Sequence, residues 1–370
     1  MKGRALITGA DGFIGKNLTV RLNEEGYEIV KFTRNDTELD LKRALESVEV
    51  VFHLAGENRP KDCSQFERVN VELTASLCKL AKMLSEPVPI IFTSSTQAEF
   101  DNPYGSSKLK AERILKDYAN DTGANVTVLR LPGVFGKWCK PDYNSVVATF
   151  CHKIARDEPI KIDDATVKLG LVYIDDAVNQ LIELNRNKIS GFHVPVISDV
   201  YEIEVGKLAS IIESFHKHRR SLLVESVGAG IMRALYATYL SYVPPSQFSY
   251  KIEEKRDSRG VFVEFLKTRD SGQISFLTVN PGEVRGGHYH HSKNERFLVV
   301  CGELIFRFKN IISGETHTVE SSGDSPKVVA SVPGWAHDLK NVGANEAIVI
   351  LWANEVLDPQ KQDTIMHKAV

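Results

Sequence analysis

Tyr104 and Lys108 have the residue types and the spacing of a proton donor and the cation that assists it. They are four residues apart, so on a helix they share one face, where an ammonium group favours the ionised phenol and lowers its pKa from about 10. A tyrosine with a lowered pKa can act as a general acid near neutral pH. The same spacing is also common on ordinary amphipathic helices, so the surrounding residues have to decide between the two interpretations.

The residues before Tyr104 predict that a helix begins there. Pro103 suits the first helical position, where its missing N–H is not needed. It also favours an extended backbone at Asn102, the conformation of an N-cap residue. The sequence therefore predicts that Tyr104 lies in the first turn of a helix.

A run of hydroxyl residues, 93–96, follows an apolar strand predicted over residues 89–92. The hydroxyl of Ser95 could hydrogen-bond a substrate carbonyl, and Tyr104 could protonate that oxygen as hydride reaches the carbon. Hydroxyls at strand ends also cap turns, and Ser94 is an alternative to Ser95. We predict a carbonyl-reducing site that uses Ser95, Tyr104 and Lys108.

Three glycines near the N-terminus, Gly9, Gly12 and Gly15, stand between a strand predicted over residues 4–8 and a helix predicted to stop at Gly26. In a βαβ unit the first would permit the turn, the second would let backbone N–H groups approach a pyrophosphate, and the third would let helix and strand pack closely. The spacing Gly-x-x-Gly-x-x-Gly differs by one residue from the commoner fingerprint, and a tight turn without a ligand is the alternative. The predicted loop consists of Gly9, Ala10, Asp11, Gly12, Phe13, Ile14 and Gly15.

Thr33 and Arg34 follow the second predicted strand, residues 28–32, and the residue type at this position selects the nicotinamide cofactor. An acid at this position would bind the ribose 2′-hydroxyl, whereas a cation would bind a 2′-phosphate. An arginine fork suits a phosphate monoester, so we predict NADPH. The alternative is that Arg34 is solvated and Asp36 binds the ribose, which would indicate NADH.

Strands alternate with helical segments through the first part of the chain. One predicted strand, residues 48–54, ends at Leu54 and is followed directly by Ala55 and Gly56. Such alternation predicts a parallel sheet whose carboxyl ends gather the site residues. The fold class predicted for this part is α/β, with a Rossmann-type doubly wound parallel sheet.

Beyond an aromatic, proline-bearing stretch at residues 236–250, the periodicity changes to short strands separated by Gly, Pro, Asn or Ser. This regularity predicts an all-β sandwich or jelly roll. The predicted strands are residues 262–266, 274–279, 297–300, 304–308, 328–332 and 347–351.

Histidines in this last part have the spacing of metal ligands. His288 and His290 would share one face of a strand, because side chains alternate along a strand. Glu295 follows after a turn, and His337 comes from a later segment. Two histidines at i and i+2, a carboxylate and a third histidine can converge on one divalent ion. We expect zinc first, although this ligand set also suits Fe, Mn or Ni.

Length and composition limit the remaining possibilities. A chain of 370 residues exceeds one ordinary core, so we predict two domains, residues 1–243 and 244–370. The formal net charge of −2 gives no reason to expect a nucleic-acid partner. Five scattered cysteines without a Cys-x-x-Cys pair predict free thiols in a reducing compartment. The absence of a long apolar run predicts a cytoplasmic protein without a membrane partner.

The first 240 residues resemble the extended short-chain dehydrogenase/reductases, which include nucleotide-sugar epimerases, dehydratases and reductases. The resemblance implies that Tyr104 is the acid and that Lys108 holds the nicotinamide ribose. It also implies that Ser95 polarises the carbonyl and that Asp40 reads the adenine amine. The matching residues are Thr8 to Gly15, Asp40 with Leu41, His53 to Gly56, Asn70, Ser94 with Ser95, Tyr104 with Lys108, residues 129–136 and residues 172–177. The predicted cofactor-binding residues are therefore Gly9, Gly12, Phe13, Ile14, Gly15, Arg34, Asp40, Leu41, Leu54, Ala55, Gly56 and Lys108.

The last third of the chain resembles the two motifs of the cupin family. The resemblance implies that His288, His290, Glu295 and His337 are the metal ligands. Pro333 stands immediately before Gly334 instead of two residues before it, a minor departure from the family pattern.

Both parts in this order resemble the CapF-type family of bifunctional enzymes of bacterial capsule and O-antigen synthesis. The resemblance implies that the cupin domain epimerises C3 of a UDP-2-acetamido-2,6-dideoxy-4-ketohexose. The first domain would then reduce C4 with NADPH, giving UDP-2-acetamido-2,6-dideoxy-L-talose on the route to UDP-N-acetyl-L-fucosamine. Two alternatives stay open: an NADPH-dependent 4-keto reductase whose β domain only binds sugar or mediates dimerisation, and a non-catalytic NADPH sensor.

Several expectations concern the UDP-sugar substrate and the assembly. Only eight residues lie between Ser95 and Tyr104, whereas many relatives carry a long insertion there. Part of the usual substrate wall is therefore missing. We expect a homodimer, as both families suggest. Possible contacts for the diphosphate and the base are Arg59, Lys137, Trp138 and Lys140, and possible epimerisation bases are Tyr289, His291, Lys309 and His317.

Overall fold

The computed structural model describes residues 2–187, 189–356, 360 and 363–369. Its contacts divide the chain into two compact units. The first consists of Met1–Glu213 and Arg233–Pro244, and the second of Ser214–Met232 and Pro245–Val370. Each unit has its own sheets and its own buried core.

The first unit alternates strands and helices. Its strands are β1 (Gly3–Thr8), β2 (Tyr27–Phe32), β3 (Val50–His53), β4 (Ile90–Ser95), β5 (Val126–Leu131), β6 (Gly133–Phe135), β7 (Lys168–Tyr173), β8 (Phe192–His193) and β9 (Tyr201–Glu204). The helices, of which the last two extend across the division between the units, are α1 (Phe13–Glu24), α2 (Glu38–Leu45), α3 (Ser64–Phe66), α4 (Leu73–Ala81), α5 (Pro103–Thr122), α6 (Val146–Ile154), α7 (Ile174–Asn187), α8 (Val205–Ser221) and α9 (Gly230–Tyr242). A π-helical turn, Glu67–Glu72, joins α3 to α4, and a 3-10 turn, Thr96–Glu99, precedes α5.

The main sheet of the first unit is parallel, with strand order β2-β1-β3-β4-β5-β8. The order reverses between β1 and β3, and in such sheets ligands bind outside the carboxyl ends of the strands at this point. β3 and β4 are buried along their whole length, as expected for strands covered by helices on both faces. A smaller sheet, β6-β7-β9, completes the unit.

The second unit is built from β strands apart from its helical segment. Its strands are β10 (Leu223–Val224), β11 (Lys255–Asp257), β12 (Gly260–Thr268), β13 (Gln273–Val279), β14 (Val284–Tyr289), β15 (Glu295–Cys301), β16 (Glu303–Asn310), β17 (Thr316–Ser322), β18 (Val328–Ala330), β19 (Trp335–Asn341), β20 (Ala347–Ala353) and β21 (Ile365–Met366). A short 3-10 turn, Pro245–Gln247, precedes them. One sheet runs β10-β12-β13-β20-β15-β18 with β11 beside β12, and the other runs β17-β16-β19-β14-β21.

Alternating burial along the strands of the second unit creates its core. In β20 every second residue from Ala347 to Ala353 is buried. Val349 from one sheet and Phe306 and Leu339 from the other belong to the same buried cluster, so the inner faces of the two sheets pack on each other. The predicted fold class, a Rossmann-type parallel sheet followed by an all-β domain, is confirmed.

Differences from the sequence-based expectations lie mainly in long-range strand pairing. Residues 214–232 join the second unit, whereas one boundary was predicted between residues 243 and 244. β10 pairs with β12, which is more than forty residues away in the chain, and local sequence patterns carry no signal for such a pair. The expected strand over residues 328–332 is shorter, and the edge strands β17 and β21 were not predicted. All five cysteines are free thiols, as expected.

Candidate active site and candidate metal centre

The helix that carries Tyr104 begins where the sequence predicts. α5 starts at Pro103, and Asn102 is its N-cap, with extended backbone and with Oδ1 accepting a hydrogen bond of 2.8 Å from the Gly105 N–H. Gly105 packs so closely on the preceding turn that a Cβ atom there would lie 2.0 Å from the Gln97 carbonyl oxygen. Tyr104 is thereby held at the base of the helix, beside the end of β4.

The two serines at the end of β4 have different partners. Ser94 Oγ donates a 2.5 Å hydrogen bond to Glu112, which also binds Arg130 through both of its oxygens. Ser95 Oγ accepts a hydrogen bond of 3.2 Å from the Gln97 N–H and so caps the 3-10 turn, and its side chain also interacts with the Tyr104 phenol. The geometry therefore favours Ser95 over Ser94 as the partner of the phenol, because the Ser94 hydroxyl proton is already committed to a buried carboxylate.

Burial raises the pKa of Tyr104, and the hydrogen bond with Ser95 opposes this rise. Sequence analysis expected Lys108 to lower the pKa of the phenol, and in this structure the net direction is the opposite. The physical reason is desolvation, which disfavours the phenolate more than the hydroxyl group of Ser95 can compensate. Tyr104 therefore keeps its proton at neutral pH, as a proton donor must.

Lys108 is almost completely buried. Its Nζ lies 4.3 Å from the centroid of the Phe92 ring. It is also close to Gly56 and Asn70: a Cβ atom added to Gly56 would lie within 3.5 Å of both the lysine Nζ and the Asn70 Oδ1. Burial lowers the pKa of Lys108 to about 7, and the charge of Glu112 opposes the shift. A charged ammonium group in this buried position therefore destabilises the folded protein.

We expect Lys108→Met to raise the free energy of unfolding of the cofactor-free protein by about 1–3 kcal/mol at pH 6–7. The folded-state pKa is depressed from 10.5 to about 7, so the unfolded chain binds the proton more tightly. The destabilisation of the folded protein by protonated Lys108 is therefore largest below pH 7 and disappears as the pH rises toward 10.5. Denaturant unfolding at pH 6 and pH 10 measures it. Lys110→Met, an exposed position on the same helix, is the control, and an equal gain there would contradict the prediction.

Asn70 connects the turn after β3 to α5. Its Oδ1 accepts from the Glu57 N–H at 2.8 Å, and its Nδ2 donates to the Glu57 carbonyl oxygen at 3.0 Å and to Ser107 Oγ at 2.9 Å. It lies in the π-helical turn, a rare element that is frequent at functional sites. Sequence analysis included Asn70 only through the family resemblance and did not predict the π-helical turn.

The glycine loop has the geometry of a dinucleotide-binding loop. Gly9 has φ +69°, and a Cβ on Gly15 would lie 2.2 Å from the Gly9 carbonyl oxygen. A Cβ on Gly9 would lie 2.8 Å from the Ala55 backbone, so this loop and the turn after β3 are in contact. α1 begins after Gly12 with no side-chain cap and no acid in its first turn. The N–H groups of Phe13, Ile14 and Gly15 thus remain suited to an anion.

Arg34 lies beyond β2 with its side chain 84% exposed, and its Nη2 is 2.9 Å from an oxygen of Glu57. Glu57 also accepts a hydrogen bond from Tyr143. Burial alone would raise the pKa of Glu57, but hydrogen bonds from Tyr143 and from backbone N–H groups, with the charge of Arg34, lower it. Asp36 accepts from the Thr33 N–H at 2.6 Å and from the Thr33 hydroxyl at 2.9 Å, so its carboxylate is used within its own turn.

Asp40 is placed at the start of α2. Its carboxylate and the Thr37 side chain form a reciprocal capping box, and these hydrogen bonds lower the pKa of Asp40. Leu41, the next residue, is buried in the core. The role of Asp40 as reader of the adenine amine stays a prediction, since the carboxylate has a helix-capping role of its own.

The basic residues suggested as substrate contacts do not converge on one point. Arg59 Nη1 donates to the Tyr143 carbonyl oxygen at 2.8 Å, and Lys140 lies over the Tyr143 ring. Lys137 pairs with Asp175 and, with Trp138, lines a cleft of about 310 Å³ beside α1. The substrate contacts proposed for Arg59 and Lys140 are thus compatible with the region around Glu57. Lys137 and Trp138 lie beside α1, and Trp138 also lines a cleft with Ala10 and Asp11 of the glycine loop.

The second unit brings its four predicted metal ligands together. His288 comes from β14, Glu295 from the start of β15 and His337 from β19, so the two sheets both contribute. His290 follows β14, which ends at Tyr289; the prediction that both histidines lie on that strand is correct for His288 only. The ligand atoms of all four residues lie within 4.8 Å of one another.

Glu295 is the centre of this cluster. Its Oε2 lies 4.0 Å from Nε2 of His288, 3.3 Å from Nε2 of His290 and 3.2 Å from Nε2 of His337. Burial alone would raise the pKa of Glu295, but its interactions with the three imidazoles, of which His290 and His337 are within hydrogen-bonding distance, hold it well below its usual value. Three imidazoles and one buried carboxylate whose donor atoms face each other fit a divalent ion.

The imidazoles differ in their surroundings. Burial lowers the pKa of His288, and its interaction with Glu295 opposes this shift. Burial also acts to lower the pKa of His290, but hydrogen bonds with Glu295 and with the Asp363 carbonyl oxygen raise it overall. His337 Nδ1 is buried without a hydrogen-bond partner among the described residues, so its Nε2 is the nitrogen directed at the cluster.

Two residues near the cluster were not found by sequence analysis. Lys293 is buried, with Nζ 3.6 Å from Oε1 of Glu295. Its position two residues before Glu295 in the sequence could have indicated this contact. Asp363 is about seventy residues away in the chain, and no sequence signal connects it to this site. Tyr289 and Lys309, two suggested bases, lie on the opposite faces of their strands from His288 and Phe308.

Comparison with known proteins agrees with this geometry. Residues 5–196 match the NAD dependent epimerase/dehydratase family, and residues 255–365 match the polysaccharide biosynthesis C-terminal domain. A UDP-2-acetamido-2,6-beta-L-arabino-hexul-4-ose reductase of Pseudomonas aeruginosa is 47% identical over 98% of this chain and 97% of its own. The structure of capsular polysaccharide assembling protein CapF from Staphylococcus aureus, 37% identical, has a TM-score of 0.91 over 99% of both chains.

A more distant structure shows the fold of the first unit alone. MoeE5 in complex with UDP-glucose and NAD is 22% identical, with a TM-score of 0.55 over 65% of this chain and 98% of its own. Within the described part of the chain, no helix combines the length and the hydropathy needed to cross a bilayer. The chain therefore belongs to the NAD dependent epimerase/dehydratase family and joins that domain to a polysaccharide biosynthesis C-terminal domain.

Proposed function

We propose that this chain is a bifunctional enzyme of UDP-N-acetyl-L-fucosamine synthesis. Its second unit epimerises C3 of a UDP-2-acetamido-2,6-dideoxy-4-ketohexose, and its first unit reduces C4 with NADPH to UDP-2-acetamido-2,6-dideoxy-L-talose. The observation that carries the proposal is that one chain holds both a Ser95–Tyr104 pair beside Lys108 and four converging metal-ligand side chains. The name of the Pseudomonas aeruginosa relative, a UDP-sugar hexulose reductase, supports the substrate class.

In the reductase site the chain would hold the C4 ketone between two hydroxyl groups. Ser95 would donate to the carbonyl oxygen, and Tyr104, whose pKa is raised by burial, would deliver its proton to that oxygen. NADPH, when bound, supplies the hydride to C4. The glycine loop would bind the pyrophosphate through backbone N–H groups at the start of α1, and Lys108 would hold the nicotinamide ribose.

In the second unit the proton at C3 is acidic because its removal gives the enolate of the C4 ketone, in which the negative charge is delocalised onto the C4 oxygen. A divalent ion, with zinc expected first, would be held by His288, His290, Glu295 and His337, and when bound it supplies positive charge for the developing oxyanion. The buried Lys293 beside Glu295 would keep the carboxylate ionised and turned toward the imidazoles. Reduction of C4 by the first unit then removes the carbonyl and prevents reversal.

NADPH is favoured over NADH by the contacts at the end of β2. Thr33 donates two hydrogen bonds to Oδ2 of Asp36, which ties this side chain to its own turn and supports the choice of NADPH. Arg34 is 84% exposed and fixed on one side by Glu57, which leaves the rest of the guanidinium for a phosphate.

We expect Arg34→Ala to raise KM for NADPH about 10- to 100-fold and to leave KM for NADH nearly unchanged, because a hydrogen bond to a charged group contributes about 1.5–3 kcal/mol. Initial rates with each cofactor measure the ratio. Arg43→Ala, which removes an exposed arginine paired with Asp40, is the matched control. An unchanged NADPH preference in Arg34→Ala would show that the 2′-phosphate is not bound by this residue.

The activity is tested by incubating the purified protein with a UDP-4-keto-6-deoxy-N-acetylhexosamine and NADPH in deuterated water, followed by NMR of the product. The proposal expects oxidation of NADPH, deuterium at C3 and the talo configuration. Reduction without deuterium at C3 would support the alternative, a 4-keto reductase whose second unit only binds sugar or mediates dimerisation. No turnover of any 4-ketohexose nucleotide would favour an NADPH sensor. The expected homodimer and cytoplasmic location are separate predictions, tested by light scattering and by cell fractionation.

A further inference from the structure

Asp363 lies in the C-terminal segment of the chain, next to the candidate metal centre. The strand that follows it, β21, pairs with β14 so that Met366 stands opposite His288 and Ile365 opposite Tyr289. This pairing brings a residue from the end of the sequence to the turn between His290 and Glu295. Asp363 belongs to neither of the two recognised histidine motifs.

The carboxylate of Asp363 binds three consecutive backbone N–H groups of that turn. The distances are 2.8 Å to the nitrogen of His291, 2.7 Å to that of Ser292 and 2.9 Å to that of Lys293. The Ser292 hydroxyl donates a further hydrogen bond at 3.1 Å. Hydrogen bonds from N–H groups to an ionised carboxylate are about twice as strong as neutral ones, so one side chain holds the turn in a single conformation.

The backbone of Asp363 acts on a metal ligand directly. Its carbonyl oxygen accepts a hydrogen bond from Nδ1 of His290. This contact places the proton on Nδ1 and leaves the lone pair of Nε2, the atom 3.3 Å from Glu295, for a metal ion. A histidine ligand is usually oriented by a partner of this kind on its other nitrogen.

The far end of the same turn acts on a second ligand. Lys293, whose N–H is bound by Asp363, places its buried Nζ 3.6 Å from Oε1 of Glu295. Oε1 is thus paired with an ammonium group, and Oε2 remains directed at the three imidazoles. The backbone N–H of Glu295 is held separately, by Ser331 Oγ at 2.8 Å.

We infer that Asp363 is a positioning residue of the metal centre, which orients His290 through its carbonyl and Glu295 through the turn 291–293. The centre is therefore completed by the C-terminal segment, and its affinity for a divalent ion depends on a side chain that does not touch the ion. The inference deepens the proposed function and rests on the metal site assigned there.

The test compares Zn²⁺ affinities of the full-length protein, measured by competition with a chromophoric chelator, in wild type and three variants. Asp363→Ala is expected to lower the affinity about 10- to 100-fold, the usual loss when a partner behind a ligand is removed. Asp363→Asn keeps one acceptor oxygen, so its loss should be intermediate. Asp257→Ala is the control, because Asp257 binds the backbone and side chain of Arg259 at another turn of the same unit. The Zn²⁺ affinity of this variant should stay within about twofold of that of wild type.

Two additional readouts separate positioning from a general loss of stability. The Co²⁺-loaded Asp363 variants should show a changed d–d absorption spectrum, whereas the Asp257 variant should not. A merely structural role would lower the free energy of unfolding of both alanine variants and leave their spectra and affinities equal to wild type.

Unchanged Zn²⁺ affinity in Asp363→Ala would overturn this inference but not the proposed metal site. If that variant does not fold, Asp363→Asn decides by the same criterion. Failure of the wild-type protein to bind Zn²⁺ or Co²⁺ would overturn both this inference and the proposed metal site.

Discussion

Tyr104→Phe is expected to lower the rate of NADPH oxidation with a UDP-4-ketohexose by about 10²- to 10⁴-fold, the usual contribution of a general acid. The phenol interacts with the Ser95 side chain, and its pKa, raised by burial, keeps the proton in place until reduction occurs. Steady-state kinetics of NADPH oxidation at saturating cofactor measures the effect. Because the substitution removes one hydroxyl, cofactor binding should stay close to wild type.

The control for this substitution lies on the same helix. Tyr118 is fully buried, and its hydroxyl donates to the Val88 carbonyl oxygen at 3.0 Å. Tyr118→Phe should cost about 0.5–1.5 kcal/mol of stability and leave kcat unchanged. The Tyr104→Phe protein should still exchange deuterium into C3 of the substrate, because that step belongs to the second unit. Turnover of Tyr104→Phe equal to that of wild type would refute its role as the acid.

Glu295→Gln is expected to abolish deuterium incorporation at C3 and stoichiometric metal binding together. Glu295 is the only carboxylate in the four-residue cluster of the described chain, and its Oε2 lies within 4.0 Å of all three imidazole Nε2 atoms. Removal of a metal ligand should lower the metal affinity by more than the factor of about 10 to 100 that follows removal of a residue hydrogen-bonded to a ligand. Metal analysis of the purified protein and NMR in deuterated water measure the two effects.

Metal also contributes to stability if the site is filled. A site at 100 times its Kd stabilises the folded protein by about 2.7 kcal/mol, so a chelator should lower Tm of wild type and have no effect on Glu295→Gln. Glu320→Gln, at an exposed position on β17, is the matched control and should respond to the chelator as wild type does. Full exchange at C3 in a metal-free Glu295→Gln protein would exclude a catalytic role for the cluster.

The elements that sequence analysis predicted are those specified by neighbours along the chain. The start of α5 follows from Asn102 and Pro103, and the capping hydrogen bond joins residues three positions apart. The glycine loop and the pair Tyr104 and Lys108 depend on spacings of three and four residues. Strand alternation in the second unit is likewise local, so its fold class could be predicted although β17 and β21 were not.

The pairings that decide the sites depend on long-range contacts. The choice of Ser95 over Ser94 depends on Glu112, which is 18 positions away, and the availability of Arg34 depends on Glu57, 23 positions away. The direction of the Tyr104 pKa shift was expected wrongly, because the sequence places a cation nearby but does not show how deeply the phenol is buried.

The sequence by itself determined which chemical groups are present and in what local order: a glycine loop, a tyrosine four residues before a lysine, and histidines at alternate positions. Only the tertiary structure decided which of them meet, as when β21 brings Asp363 to His290 across 73 positions. The physical reason is that local backbone preferences act over one or two helical turns. Burial, desolvation and hydrogen bonds between distant segments exist only once the sheets have packed.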